Sequence, residues 1–449
     1  VSLSIYIAPQ HQLLQRKWVP MAGISISLAR LRKLRDQFEK RLKAAAGKSA
    51  WRPAARPTHL IEIAKFGSNP GNLRMHAYVP NGVGPSPPLV VALHGCTQTA
   101  DSYDRGTGWS DLADRLGFIL IFPEQQPANN PKNCFSWFLP DDTARDSGEA
   151  LSIRQMIAKA VEKFGVDRNR MFVTGLSAGG AMASVMLATY PEIFTGGAII
   201  AGLPYGSASS VQEAFEAMFN DRAPSSRALG DHVRGASNHP GPWPKISVWH
   251  GTADTVVRPS NADHIIKQWL DVQKLTERPS GEEQIGRHTR RIWQDARGDS
   301  RLEAYSISGM GHGVPIAMTG VDSCGVTGPF FLEAGLCSTS QIARFWGLDT
   351  AEAREWRSAT RSGAGRKSSA PSLPAFPAGD YAPADDMPLH KDAGSGDKHS
   401  ALDPNAVIAA AFKAAGLPAP EETGQPGSRR VDPGGIIAAA LKAAGLTRS

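Results

Sequence analysis

From His59 to about Leu348 the chain alternates short apolar runs with stretches of helical periodicity. Residues 60–66 and 73–79 read as a strand pair, and residues 89–93, 118–122, 171–174, 197–200, 246–249 and 302–306 as further strands. Several of these runs are unbroken rather than alternating, as strands must be when helices cover both faces of a parallel sheet. Helical spacing marks residues 148–164, 178–190 and 260–273. The alternation predicts an α/β architecture, an open and mostly parallel sheet with helices on both faces. A less regular stretch at 203–243 interrupts it and is expected to cap the top of the sheet.

Outside this region the pattern changes twice. Leu28, Leu31, Leu34, Phe38 and Leu42 recur at intervals of three or four, which predicts an amphipathic helix over 28–45 with a strongly basic opposite face. It is expected to fold against the body, with attachment to an anionic or apolar surface such as a membrane or polymer granule as the alternative. Met21 opens a more convincing segment than Val1, so residues 1–20 are expected to be an upstream extension. Ser25, Ser27, Arg30, Arg32 and Lys33 interrupt residues 24–34, so no apolar signal core forms there. Beyond Thr350 the composition falls to Ser, Pro, Ala, Gly and Asp, and a disordered linker is expected. Two near-copies follow, DPNAVIAAAFKAAGL from Asp403 and DPGGIIAAALKAAGL from Asp432. Each has a capping Asp, Pro at the first helical position and a terminal Gly, the marks of a short helix that docks onto something larger. The expected organisation is a basic arm at 1–57, an α/β domain at 58–348, a linker at 349–402 and short helical repeats at 403–449.

Composition narrows the function classes. The 449 residues exceed one ordinary domain, and 41% hydrophobic against 20% charged supplies a sizeable core. The net charge of +7 resembles a nucleic-acid signal until it is divided by region. Residues 1–57 carry twelve Lys and Arg against Asp36 and Glu39, a net +10, which leaves −3 for the rest. A polyanion-binding enzyme would place its charge around its cleft, so nucleic acid is excluded as a partner. No stretch approaches the ~20 apolar residues of a membrane-spanning helix. The four cysteines, at 96, 134, 324 and 337, lack the close pairs of a metal site. Of the three pairings into two disulfides, chain order favours Cys96 with Cys134 and Cys324 with Cys337; free thiols in a reducing cytosol are the alternative.

The chemistry is read from glycine-flanked positions. Gly175-Leu176-Ser177-Ala178-Gly179 matches G-x-S-x-G, with a buried strand before it and a small-residue helix after it. A sharp strand-to-helix turn there would lift the Ser177 hydroxyl above the sheet and leave the Ala178 amide free to stabilise an oxyanion. A serine hydroxyl needs a histidine to take its proton and a carboxylate to orient that histidine. Asp254, just past the strand at 246–249, is the candidate acid, with Asp263 as the weaker option. His312, in the loop Gly309-Met310-Gly311-His312-Gly313, is the candidate base over His250, His264 and His288. After the strand at 89–93, Gly95 permits a tight turn and the Cys96 amide is placed as the second oxyanion donor, while His94 reads as a structural loop residue. A Cys96–Cys134 bridge would hold that loop against residues 133–137.

The segments LHGCTQTADSY, NCFSWF, DSGEALSI, GLSAGGAMA, WHGTADTVV, GMGHGVP and SCGVTGPFFLEAGLCS occur in this order across roughly residues 60–347. Together they resemble the poly(3-hydroxybutyrate) depolymerase family of esterases, which also includes feruloyl and acetylxylan esterases. The resemblance implies an α/β-hydrolase fold, ester hydrolysis without a cofactor, and Ser177, Asp254 and His312 as the triad. It makes a hydroxyalkanoate polyester or oligoester the expected substrate, with feruloyl or acetyl esters of plant polysaccharide as the alternative. Trp137 and Trp249 are expected as walls of an apolar substrate groove, with core packing as their other role. Family members are often extracellular, so export is expected, with the cytoplasm as the alternative. Polymer-granule contact through the arm and tail repeats completes the expectation, and a scaffolding protein is the competing class.

Overall fold

The computed structural model describes residues 28–47, 58–221 and 224–350. Residues 1–384 group as one unit and 385–449 as another, and all the described residues belong to the first. The expected upstream extension, nearly all of the linker and both tail repeats lie outside the described residues.

A ten-stranded sheet organises the body. Its strands in chain order are β1 (Ile61–Glu62), β2 (Arg74–Tyr78), β3 (Leu89–Leu93), β4 (Ile119–Glu124), β5 (Met171–Leu176), β6 (Gly196–Ile200), β7 (Lys245–Gly251), β8 (Gly281–Ile285), β9 (His288–Gln294) and β10 (Ser300–Ile307). Across the sheet they run β1-β2-β4-β3-β5-β6-β7-β10-β9-β8, with every pairing from β4 to β10 parallel and the margins antiparallel. All residues of β3, β4, β5 and β6 are buried, as their unbroken apolar runs require of strands covered on both faces. Helices α1 (Leu28–Ala46), α2 (Ala100–Thr107), α3 (Trp109–Leu116), α4 (Pro140–Thr143), α5 (Gly148–Phe164), α6 (Ala178–Thr189), α7 (Val211–Phe219), α8 (Ser226–Ala236), α9 (Ser260–Gln273) and α10 (Ser338–Phe345) supply the flanking layers. A small parallel pair, β11 (Val314–Ile316) with β12 (Phe331–Glu333), follows the last long strand.

This is the mostly parallel α/β architecture that the alternation predicts, with local differences. Only Ile61 and Glu62 of the run at 60–66 join the sheet, and both are exposed on its edge. The β8–β9 hairpin has no counterpart among the expected runs, because Gly281 to Gln284 are all exposed and leave no apolar signal. The segment at 203–243 contains α7 and α8, the latter braced on α9 by an Arg234–Asp271 ion pair of 2.6 Å.

Helix α1 lies on α7. Phe38 meets Phe215 with ring centroids 5.6 Å apart, Leu42 is buried, and Arg41 sits 4.3 Å above the Phe219 ring. An Arg30–Glu216 contact of 3.0 Å closes the other end. The apolar stripe of α1 thus faces the body, with Leu42 buried and Leu31, Leu34 and Phe38 half-buried, while Arg32, Lys33, Arg35, Lys40 and Lys43 are exposed.

Candidate active site

Strand order reverses at the centre of the sheet. The connection from β3 leads to β4 on one side, and that from β5 leads to β6 on the other. Such a switch point opens a crevice at the carboxyl ends of the strands. A run of backbone hydrogen bonds ties those ends together across the sheet. Ser177 N–H donates to Ile200 O at 2.9 Å, Ala201 N–H to Trp249 O at 2.8 Å, Thr252 N–H to Ile307 O at 3.0 Å and Ala253 N–H to Met310 O at 2.9 Å. The loops bearing Ser177, Asp254 and His312 therefore leave the sheet at one end.

Ser177 occupies the turn between β5 and α6 with φ 57° and ψ −118°, a left-handed conformation costly for a side-chain-bearing residue. The turn closes because its neighbours are glycines. A Cβ on Gly175 would stand 2.3 Å from Gly179 O, and one on Gly179 would stand 2.3 Å from Leu93 O and 2.4 Å from His94 O. These obstacles are backbone atoms that cannot rotate away. We predict that Gly179→Ala wedges α6 off β3 and costs about 1–3 kcal/mol of stability. Thermal unfolding should register a lower Tm together with reduced activity, and an unchanged Tm would refute the steric account.

Asp254 and His312 meet. His312 Nδ1 lies 2.6 Å from Asp254 Oδ2, both groups buried. The other carboxylate oxygen, Oδ1, accepts from the amides of Val256 at 2.8 Å and Val257 at 3.0 Å. Burial alone would raise the pKa of Asp254, but the facing His312 and a hydrogen bond from His250 outweigh it and hold the carboxyl well below the usual range. Because a carboxylate can only accept, Nδ1 of His312 carries the proton and the neutral ring keeps its lone pair on Nε2. That Nε2 is buried and has no hydrogen-bond partner among the described residues.

Three of the competing residues, His288, Asp263 and His250, are occupied elsewhere. Both ring nitrogens of His288 are engaged, one with Ala334 O at 2.8 Å and one with Ser308 N–H at 3.1 Å. Asp263 is exposed and 3.5 Å from Arg291. His250 supports the acid instead of replacing the base, with Nε2 3.0 Å from Val257 O and 3.3 Å from Asp254 Oδ2.

The turn after β3 is held open around one amide. Gly95 N–H donates to Gln98 Oε1 at 2.7 Å, Thr97 N–H to Lys132 O at 2.5 Å and Gln98 N–H to Gly95 O at 3.3 Å. Among the described residues the Cys96 N–H has no acceptor, and the Ala178 N–H, opening α6, has none within its helix. His94 donates from Nδ1 to Gly95 O at 2.8 Å and accepts at Nε2 from Gln125 N–H at 3.0 Å, so it is a brace for this turn. Burial pushes its pKa down and favours the neutral ring that this pairing needs. A disulfide joins Cys96 to Cys134, and a second joins Cys324 to Cys337.

The two tryptophans part company. Trp137 lines a cleft of about 290 Å³ with Thr143, Tyr205, His232 and Ala236. None of Ser177, Asp254 and His312 lines this cleft. Trp249 does not form a wall. It is fully buried, stacked on Tyr305 at 3.6 Å, and donates its indole N–H to Ser247. The expectation of a groove role for Trp249 is corrected to core packing, because an inward-facing position on a central parallel strand is covered by a neighbouring strand's aromatic. Sequence reasoning also missed His250, Gln98, Gln125 and Glu149 as supports of the site. For Glu149 a signal existed, an acid inside the buried face of an amphipathic helix.

Comparison with known proteins identifies relatives of the chain. Residues 73–291 match the family model described as Esterase PHB depolymerase. Poly(3-hydroxyalkanoate) depolymerase C of Paucimonas lemoignei is 43% identical over 291 residues, covering 64% of this chain and 70% of that protein. Feruloyl esterase B of Talaromyces stipitatus is 33% identical over 289 residues, covering 62% of this chain and 78% of that protein. Among solved structures, an acetyl xylan esterase from Aspergillus awamori superposes with a TM-score of 0.56 at 25% identity, covering 64% of this chain and 99% of that one.

Proposed function

The chain belongs to the Esterase PHB depolymerase family and is a carboxylic ester hydrolase of α/β-hydrolase fold, and from that premise we propose that it cleaves hydroxyalkanoate polyester or its oligomers with Ser177 as nucleophile. The observation that carries the mechanism is the 2.6 Å contact between His312 Nδ1 and Asp254 Oδ2, which leaves Nε2 as the open base. His312 Nε2 takes the Ser177 proton as the oxygen attacks the ester carbonyl. The Cys96 and Ala178 amides receive the charge that develops on the carbonyl oxygen, and being held by the fold they need no reorganisation to do so. The tetrahedral species collapses to an acyl-serine, and His312 gives its proton to the departing alcohol. Water then enters under the same base, and the acid leaves with Ser177 restored.

The substrate class rests on the higher identity to the polyhydroxyalkanoate depolymerase than to the feruloyl esterase. Trp137 and Tyr205, which line the cleft, offer aromatic surface to a repeat unit. Residues 58–348 form the catalytic domain in this reading, with the arm, linker and tail repeats as additions that favour polymer contact. Two disulfides favour an oxidising compartment and hence export. A substrate panel on the purified full chain tests the assignment. 3-Hydroxybutyrate oligomers should give a higher kcat/KM than methyl ferulate or acetylated xylan, and the reverse order would transfer the protein to the plant-polysaccharide esterases.

A further inference from the structure

One buried acid stands outside the mechanism and binds Ser136 and Gln125, each of which leads to the turn after β3. Glu149, in the first turn of α5, is 1% exposed. Its Oε2 accepts from the Ser136 amide at 2.8 Å, and its Oε1 from Gln125 Nε2 at 2.5 Å. Gln125 Nε2 also donates to Cys134 O at 3.2 Å, so one carboxylate and one amide grip both ends of the segment 134–136. That segment is bonded through Cys134 to Cys96. The next residue, Trp137, lines the cleft. Gln125 reaches the same turn from its other side, since its own amide donates to the His94 that binds Gly95 O.

We propose that Glu149 is a positioning residue that fixes the Cys96 amide at the reacting carbonyl, acting through Ser136, Gln125 and the Cys96–Cys134 bridge. The inference rests on the reading of Ser177 and Cys96 given above. A neutral, well-packed side chain would fill the same space at less cost, because a buried carboxyl gives up hydration. Burial, with Asp142 nearby, pushes its pKa up to about 8, so the fold tolerates an acid where it is disfavoured. Above that value the ionised carboxyl supplies two acceptor oxygens, one for the Ser136 amide and one for Gln125 Nε2, whose second hydrogen goes to Cys134 O. Its influence also has a covalent route. The bridge makes a shift of residues 134–136 a shift of residue 96, and a displaced oxyanion donor slows the chemical step more than it weakens substrate binding.

Glu149→Gln keeps the volume but turns an N–H₂ group toward a donor, which breaks one of the two holds. On a soluble ester such as p-nitrophenyl butyrate, assayed about one pH unit above the Glu149 pKa so that the carboxyl is ionised, kcat should fall about ten- to a hundredfold with KM little changed. The same substitution is then made in a chain lacking the bridge, Cys96→Ala with Cys134→Ala, where its effect on kcat should shrink to less than about twofold. Equal losses in the two backgrounds, or an unchanged kcat in the first, would overturn the proposal. Should Glu149→Gln not fold, Gln125→Leu carries the same comparison, because it releases Cys134 O and one Glu149 oxygen together. Ser177→Ala is assayed alongside. A kcat within about a hundredfold of wild type in it defeats the reading of the nucleophile, whereas a fall of about 10⁵-fold or more in Ser177→Ala with a normal Glu149→Gln defeats only the positioning role.

Discussion

Replacing Ser177 with alanine is expected to lower kcat by about 10⁵–10⁶-fold while leaving the folded structure intact. The size follows from what the side chain is asked to do. Without the hydroxyl no acyl-enzyme forms, and the reaction must recruit water directly into a site shaped for a covalent intermediate. The oxyanion amides remain, so about 10³–10⁴-fold over the uncatalysed rate should survive. The strained backbone at residue 177, φ 57°, is shared by wild type and variant, so Tm should move little. A fluorophosphonate probe gives a second reading. Wild type should be labelled and Ser177→Ala should not, and either a labelled variant or an unlabelled wild type would remove Ser177 from the mechanism.

Asp254→Asn should cost about 10⁴-fold in kcat through the wrong tautomer. The reason is set by the two amides on Oδ1. Val256 and Val257 N–H groups, at 2.8 and 3.0 Å, require an acceptor at that position, so the asparagine carbonyl oxygen must occupy it. Its NH₂ group then takes the place of Oδ2 and faces His312 Nδ1. A donor opposite Nδ1 forces the imidazole proton onto Nε2, where it blocks acceptance of the serine proton. Stability should carry its own pH signature. The folded-state pKa of Asp254 is depressed, so the ionised group stabilises the fold above the ordinary carboxylate value of about 3.9, and that contribution is lost as pH falls through the folded value. The Tm gap between wild type and Asp254→Asn should accordingly be present at neutral pH and narrow in strong acid. A gap independent of pH, or a kcat within about tenfold of wild type, would contradict this role.

How far such residues could be read before any coordinates depended on whether the signal was local. The elbow was legible because its glycines are two residues either side of Ser177, and the clash they avoid involves neighbouring strand and helix. Asp254 was legible as the first carboxylate past a strand end, and His312 as an imidazole in a glycine-flanked loop. The β8–β9 hairpin was not, since an exposed edge pair leaves no apolar run. Trp249 stays open in sequence between groove wall and core packing, because an aromatic at a strand end looks the same whether Tyr305 or a substrate covers it. The partner of α1 was hidden for a similar reason. An apolar stripe announces that something will be covered, and only the folded chain names Phe215.

The amino-acid order by itself determined the central parallel strands, the turn at Ser177 and the class of reaction, because runs, periodicities and glycine spacings act over a few residues. The tertiary structure alone decided that Glu149 holds Ser136 and Gln125, that His250 stands behind Asp254, and that the Cys96 amide has no acceptor among the described residues. Buried polar groups must find partners, but which partner lies within reach is set by the order of strands in the sheet. That order brings together side chains such as Asp254 and His312, 58 positions apart in the chain.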